Sequence, residues 1–162
     1  MARRWDLPRA RKRFNGLISE GRAGPGGPRV AILLPQTYMN ESGTSVGPAR
    51  GSLKLPLDRV VAVHDEIDLP FGEIRSKLGG GVAGHNGLRS VGASLGANDF
   101  ARVRIGIGRP PGRMDGAAFV LGTFTSAEWK EVPTICEQAA DATELLVAQG
   151  LEPAQNTVHT WG

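Results

Sequence analysis

The sequence predicts an α/β fold: three layers, α/β/α, with a mixed central sheet and helices on both faces. Three observations lead there. Short apolar runs such as Val30–Leu34 and Val60–Val63 have the length and β-branched content of strands. Segments with helical start and stop signals fall between such runs, so the two kinds of element alternate. The 162 residues show no internal repeat and no shift of composition, so one domain spanning 1–162 is expected.

The elements follow in order. Arg3 to about Arg13 reads as the end of a helix, interrupted at Pro8. Gly16 to Leu34 reads as two strands around the turn Gly24-Pro25-Gly26-Gly27-Pro28. The second of them, Val30–Leu34, is apolar throughout, as expected of a strand buried on both faces. Ser42 is placed to cap a short helix running towards Arg50. Val60–Val63 is a second buried strand, ending at His64-Asp65.

Pro70-Phe71-Gly72 makes a turn. Beyond it Glu73, Arg75 and Lys77 share one parity, and Ile74 and Leu78 the other, which is the pattern of a half-exposed strand. The tight turn predicts that this strand runs antiparallel to its predecessor. A glycine loop, Gly79–Gly84, leads to a helix from Asn86 to about Leu95. Ala101 to Ile107 alternates Arg102 and Arg104 with Val103 and Ile105, another strand. Arg109–Arg113 is a loop. Ser126 to Ala148 is a helix disturbed by Pro133 and closed by Gly150. Residues 157–162 read as a mobile tail.

Composition narrows the function classes. Hydrophobic residues make up 40% and charged residues 22%, a balance that suits a packed core in water. The 23 glycines cluster in loops, so they mark turns and close backbone approach. Formal charge is only +3, yet Arg3, Arg4, Arg9, Arg11, Lys12 and Arg13 crowd the start of the sequence. Such a patch attracts a polyanion, although a solvated helix end would look the same. Cys136 is the only cysteine, which excludes an internal disulfide and fits a reducing cytoplasm. His64, His85 and His159 share no ligand spacing, so no metal is expected. No run approaches membrane-spanning length, and Arg3 and Arg4 lead into no signal-like apolar region.

Several polar residues stand where chemistry gathers. Asp65 ends a buried strand, the edge at which open α/β sheets hold ligands. It can accept structural hydrogen bonds or orient a histidine for general-base work. Asn40 precedes the helix at Ser42 and can donate to a carbonyl oxygen, or can be a turn residue. Asn86 opens another helix and can cap it or bind. The loop at Gly79–Gly84 has the composition of a phosphate cradle but lacks Gly-Lys-Ser/Thr. Lys77 and Arg104 lie on neighbouring strands near that loop, where two cations can clamp a phosphate or simply be solvated. Ser42 and Ser45 have no nucleophile elbow and no evident base.

Five stretches together resemble the bacterial peptidyl-tRNA hydrolase family. They are Tyr38-Met39-Asn40-Glu41-Ser42-Gly43, His64-Asp65-Glu66-Ile67-Asp68-Leu69-Pro70, Gly84-His85-Asn86-Gly87-Leu88, Arg104–Pro110 and Phe119-Val120-Leu121. They occur in the family's order, and the likeness runs from about Arg11 to Asn156. It implies a cofactor-free, water-driven hydrolysis of the ester between nascent peptide and tRNA by a cytoplasmic monomer. It also implies roles. Asp65 would orient the base histidine. Asn40 would bind the peptidyl part and help place the scissile carbonyl. Asn86 would hold the water or the developing oxyanion. Met39 would line the cleft, with Tyr38 beside it as a further substrate contact. Lys77 and Arg104 match the pair that grips the tRNA 5′-phosphate.

The sequence departs from that pattern in two places. Val82 and Ala83 stand where His or Gly is common, and Ala83 adds a Cβ where backbone approaches substrate. Family members also open with an apolar strand, a Gly-Asn-Pro-Gly loop and an Arg-His-Asn segment that carries the base. Met1–Trp5 instead matches the end of the helix that follows those parts, so the family's first strand and its catalytic histidine have no counterpart. His64 and His85 match other family histidines. The expectation is an N-terminally truncated member. A non-catalytic tRNA-binding remnant is the alternative, and a phosphate-binding metabolic enzyme using the glycine loop is a third reading.

Overall fold

The computed structural model describes residues 1–82 and 84–150. Two compact units are present. One comprises residues 1–62 and 78–101; the other comprises residues 63–77 and those from 102 onward.

The first unit starts with turns over residues 2–6, not with the helix end that the basic sequence suggested. Pro8 and the left-handed Asp6 (φ 52°) leave no room for a continuous helix there. Strand β1 (Arg11–Arg13) follows, then β2 (Gly16–Arg22) and β3 (Arg29–Pro35). They form an antiparallel sheet in the order β1-β2-β3. Arg13 pairs with Gly16, so Phe14 and Asn15 form a two-residue hairpin turn. Both are left-handed (φ 57° and 51°), as a type I′ turn demands.

Strand β3 is apolar in sequence yet only partly covered, with Leu34 54% exposed. Among the described residues it pairs with β2 alone, and an edge strand cannot be buried on every side. A single 3-10 turn, Met39–Glu41, then runs straight into α1 (Gly43–Leu53). Ser42 stands at the cap position but is already helical, and its Oγ donates back to the Met39 carbonyl at 2.7 Å. The chain enters α1 from an existing turn, so the expected side-chain cap is not made. Pro48 sits inside α1 and has no N–H for the Thr44 carbonyl. Asn15 Nδ2 donates to that carbonyl in a long bond of 3.5 Å.

Helix α2 (Asn86–Leu95) closes the unit. Its Leu88 and Val91 form a core with Phe100, against which Val46, Leu57, Val60 and Leu95 pack. Gly43 lies so close to Ser90 that a side chain there would collide with the α2 backbone. Its N–H donates to Ser90 Oγ at 2.8 Å, which ties the start of α1 to α2.

The second sheet has the order β4-β6-β5, from β4 (Val61–Glu66), β5 (Ile74–Leu78) and β6 (Ala101–Gly106). The expected β4–β5 hairpin does not form, because β6 inserts between the two strands. The Gly106 N–H donates to Glu73 O at 2.8 Å, and the Gly79 N–H to Phe100 O at 3.0 Å. Those two bonds make β5 antiparallel to β6. The Ala101 N–H donates to Val60 O and the Ile107 N–H to Glu66 O, so β4 runs parallel to β6. The sheet is mixed, as expected. Strand β4 is half-covered, with Val63 50% exposed, because it too lies at an edge.

In the second unit, α3 (Gly116–Val120) is a short helix that the sequence did not signal. Helix α4 (Ser126–Gln149) is entered through a capping box: Thr125 Oγ1 accepts from Glu128 N, and Glu128 Oε1 accepts from Thr125 N. Pro133 lies within its 24 residues without ending it, and Gly150 (φ 91°) closes it. Arg102, Val103 and Ala142 are fully buried here, with Ile74 and Ala139 nearly so. No helix among the described residues is long and apolar enough to cross a membrane. The tail at 157–162 lies outside the described residues.

Candidate active site

The first unit brings together four of the sequence-predicted residues. Tyr38, Met39 and Asn40 occupy the turn before α1, and Asn86 is the first residue of α2. The link between the two segments is a missing side chain. A Cβ on Gly87 would stand 2.6 Å from the Met39 sulfur, so the thioether packs where glycine leaves space. Ser42 Oγ, on the Met39 carbonyl, holds the turn from the other side. Met39 itself stays 58% exposed and Tyr38 80% exposed, so the turn presents side chains to solvent and does not bury them.

Asn86 is not the cap of α2. His85 is: its Nδ1 accepts from the Leu88 N–H at 3.1 Å. Asparagine and histidine both cap helices, and the one-residue choice between them is invisible in sequence. The consequence is chemical. Asn86 is exposed, and neither its amide nor that of Asn40 hydrogen-bonds another described residue. Two amides, each able to donate and accept, stand open on adjoining segments.

The loop before α2 also belongs to this unit. Gly79, Gly80 and Gly84 adopt positive φ (65°, 106° and 82°), conformations that glycine alone takes without strain. The departure at Ala83 falls outside the described residues. Sequence reasoning missed His85 as a cap and Gly87 as the seat of Met39. No periodic signal marks either.

In the second unit the strand register assigns faces. Lys77 stands opposite Arg102, and Arg75 opposite Arg104, from the antiparallel pairing of Glu73 with Gly106. Lys77 and Arg104 therefore share one face as diagonal neighbours. Glu66 Oε1 lies 4.0 Å from Arg104 Nη1, which puts Glu66 on that face too. Arg75 is ion-paired with Glu73. Arg104 Nε is buried without a hydrogen-bond partner among the described residues. Lys77 has no ion-pair partner among the described residues.

Successive strand residues alternate faces, so Asp65 points to the face opposite Glu66, Arg104 and Lys77. It is half-buried. His64 takes the cation-bearing face, and its Nδ1 donates to the Asp65 carbonyl oxygen at 2.8 Å. The expected divergence of His64 and Asp65 is what the strand produces. The carboxylate and the two cations lie on opposite sides of this sheet.

The sequence profile of the peptidyl-tRNA hydrolase family matches residues 1–161. The chain is 62% identical over 151 residues to a peptidyl-tRNA hydrolase of Mycolicibacterium vanbaalenii, covering 93% of this chain and 78% of that protein. It is 58% identical over 153 residues to one from Mycobacterium tuberculosis, covering 94% and 79%. Among solved structures, the crystal structure of peptidyl-tRNA hydrolase from Acinetobacter baumannii matches with a TM-score of 0.84 at 34% identity. That match covers 97% of this chain and 79% of the other.

Proposed function

The chain belongs to the peptidyl-tRNA hydrolase family, and we propose that its Asn40, Asn86 and Asp65 serve hydrolysis of the ester joining a peptide to tRNA. Water attacks the ester carbonyl carbon, and a general base takes its proton. The tetrahedral oxyanion collapses, the bond to the ribose oxygen breaks, and that oxygen takes up a proton. Peptide carboxylate and free tRNA leave.

Each residue has a role in that sequence. Asn40 holds the peptidyl backbone and sets the carbonyl. Asn86 donates to the attacking water or the oxyanion. Tyr38 and Met39 line the peptide side. Asp65 orients the imidazole that acts as base. Lys77 and Arg104 grip the 5′-phosphate of the tRNA. No step needs a metal or cofactor, and the enzyme works as a cytoplasmic monomer. The observation that carries this reading is the seating of Met39 on Gly87, which sets Asn40 beside the start of α2 with both amides open.

The base is the second part of the proposal. The sequence holds no histidine matching the family's Arg-His-Asn segment. The relatives are longer by about a fifth, the chain covering 78–79% of them. An N-terminal strand and loop supplying the histidine complete the site. The exposed apolar Val63, on the edge strand β4, fits such a covering segment. Single-turnover hydrolysis of labelled peptidyl-tRNA tests both parts. The 162-residue chain is expected to be about 10²–10⁴-fold slower than a version extended by the family's N-terminal segment. Equal inactivity of the two would favour the alternative, a tRNA-binding remnant.

A further inference from the structure

We infer that a cationic groove beside Tyr38 receives the peptide upstream of the esterified residue and favours acidic side chains there. The inference rests on the peptidyl role of Tyr38-Met39-Asn40 proposed above. One wall of the groove is the β1–β2 hairpin tip, with Lys12, Arg13 and Asn15; the other is Gln36, Tyr38 and Thr44.

The hairpin tip is built, not loose. Phe14 and Asn15 are both left-handed, and a bulky residue such as Phe adopts that conformation only under constraint. The constraint is visible. Arg13 lies over the Phe14 ring at 4.4 Å. The Asn15 carbonyl accepts from the Gln36 N–H at 2.9 Å, and its amide donates to the Thr44 carbonyl. A strained turn tied on both sides holds the backbone of Lys12 and Arg13 at a fixed place.

Charge then selects the ligand. Arg13 Nη2 donates to Ser52 Oγ at 3.3 Å, a neutral partner, and Arg13 has no ion-pair partner among the described residues. Lys12 has no ion-pair partner among the described residues. Neighbouring Arg11 is different, being paired with Glu20 at 3.1 Å. Glu41 is the acidic residue on the rim, one carboxylate against two cations. Peptide is favoured over RNA by continuity: Tyr38 lines this groove and precedes Met39 directly, so a chain leaving Asn40 along Tyr38 enters it in an extended form. An aromatic wall and a rim carboxylate suit a peptide better than a phosphate backbone.

The test uses the 162-residue chain and three fluorescent, non-hydrolysable probes read by anisotropy. Two are hexapeptides amide-linked to 3′-amino-adenosine, one with upstream Asp residues and one with Lys. The third carries a single acetylated amino acid. The Asp probe is expected to bind roughly five-fold tighter than the Lys probe, as exposed charge pairs allow. Lys12→Gln should remove that preference and Lys12→Glu should invert it, with unchanged circular dichroism and unchanged affinity for the short probe. Binding of the short probe without discrimination between the hexapeptides would overturn the groove alone. Failure of all three probes would overturn the peptidyl reading together with it. A Lys12→Glu loss confined to deacylated tRNA would make the groove a phosphate site and overturn the inference.

Discussion

The Met39 sulfur packs over the Cα of Gly87, in space that any other residue would fill. That contact sets the turn carrying Asn40 against the helix that begins with Asn86. Gly87→Ala places a methyl 2.6 Å from the sulfur and 3.1 Å from the His85 ring. Overpacking of this kind costs about 1–3 kcal/mol. The variant is expected to melt earlier and to bind a non-hydrolysable peptidyl-adenosine more weakly. Met39→Ala in the same background should restore part of both, and a double-mutant cycle measures the coupling.

Asn86 and His85 are adjacent but should fail differently. His85→Ala removes the cap on Leu88, at a cost of about 0.5–2 kcal/mol in stability. Asn86→Ala breaks no hydrogen bond to a described residue, so its melting temperature should hold. In the N-terminally extended enzyme Asn86→Ala should lower kcat by about 10²–10³, as loss of one oxyanion donor does. Equal losses of stability from the two variants would make Asn86 structural.

Lys77 and Arg104 share a face of the second sheet, and Lys77 has no acidic partner among the described residues. Each should contribute about one unit to the salt slope of tRNA binding. Removing the tRNA 5′-phosphate should weaken binding to wild type, and leave binding to Lys77→Ala or Arg104→Ala nearly unchanged. Filter binding across a salt series reads both.

Pro48 withholds the N–H that the Thr44 carbonyl would accept, and Asn15 partly replaces it. Pro48→Ala is expected to stabilise α1, since a proline inside a helix costs about 3 kcal/mol less the compensation already present. The Asn15 amide then loses its role. Asn15→Ala should therefore be destabilising in the wild type and close to neutral beside Pro48→Ala, as thermal melts of the four proteins would show.

The long elements were legible because their signals are local. Helix α2 follows a glycine loop, and α4 runs to a closing glycine, Gly150. Strand β1 was not legible. Arg11-Lys12-Arg13 has no apolar alternation, and it becomes a strand only because the Phe14-Asn15 turn folds it onto β2. The β4–β5 pairing failed for a related reason. Nothing in the Pro70–Gly72 turn announces that β6, more than 20 residues later, will insert between its flanking strands. The polar residues of the proposed site were named by motif, but the features that position them are contacts between distant segments. The seat of Met39 on Gly87 and the Ser90 hydroxyl under Gly43 have no period to detect.

Alternation along β4 sends Asp65 through one side of the second sheet while Glu66 meets Arg104 on the other. A ligand that reaches the carboxylate and the cation pair at once has to travel round the sheet's rim. A substitution confined to Asp65 therefore leaves the Lys77 and Arg104 face untouched, and a change at either cation leaves the carboxylate in place.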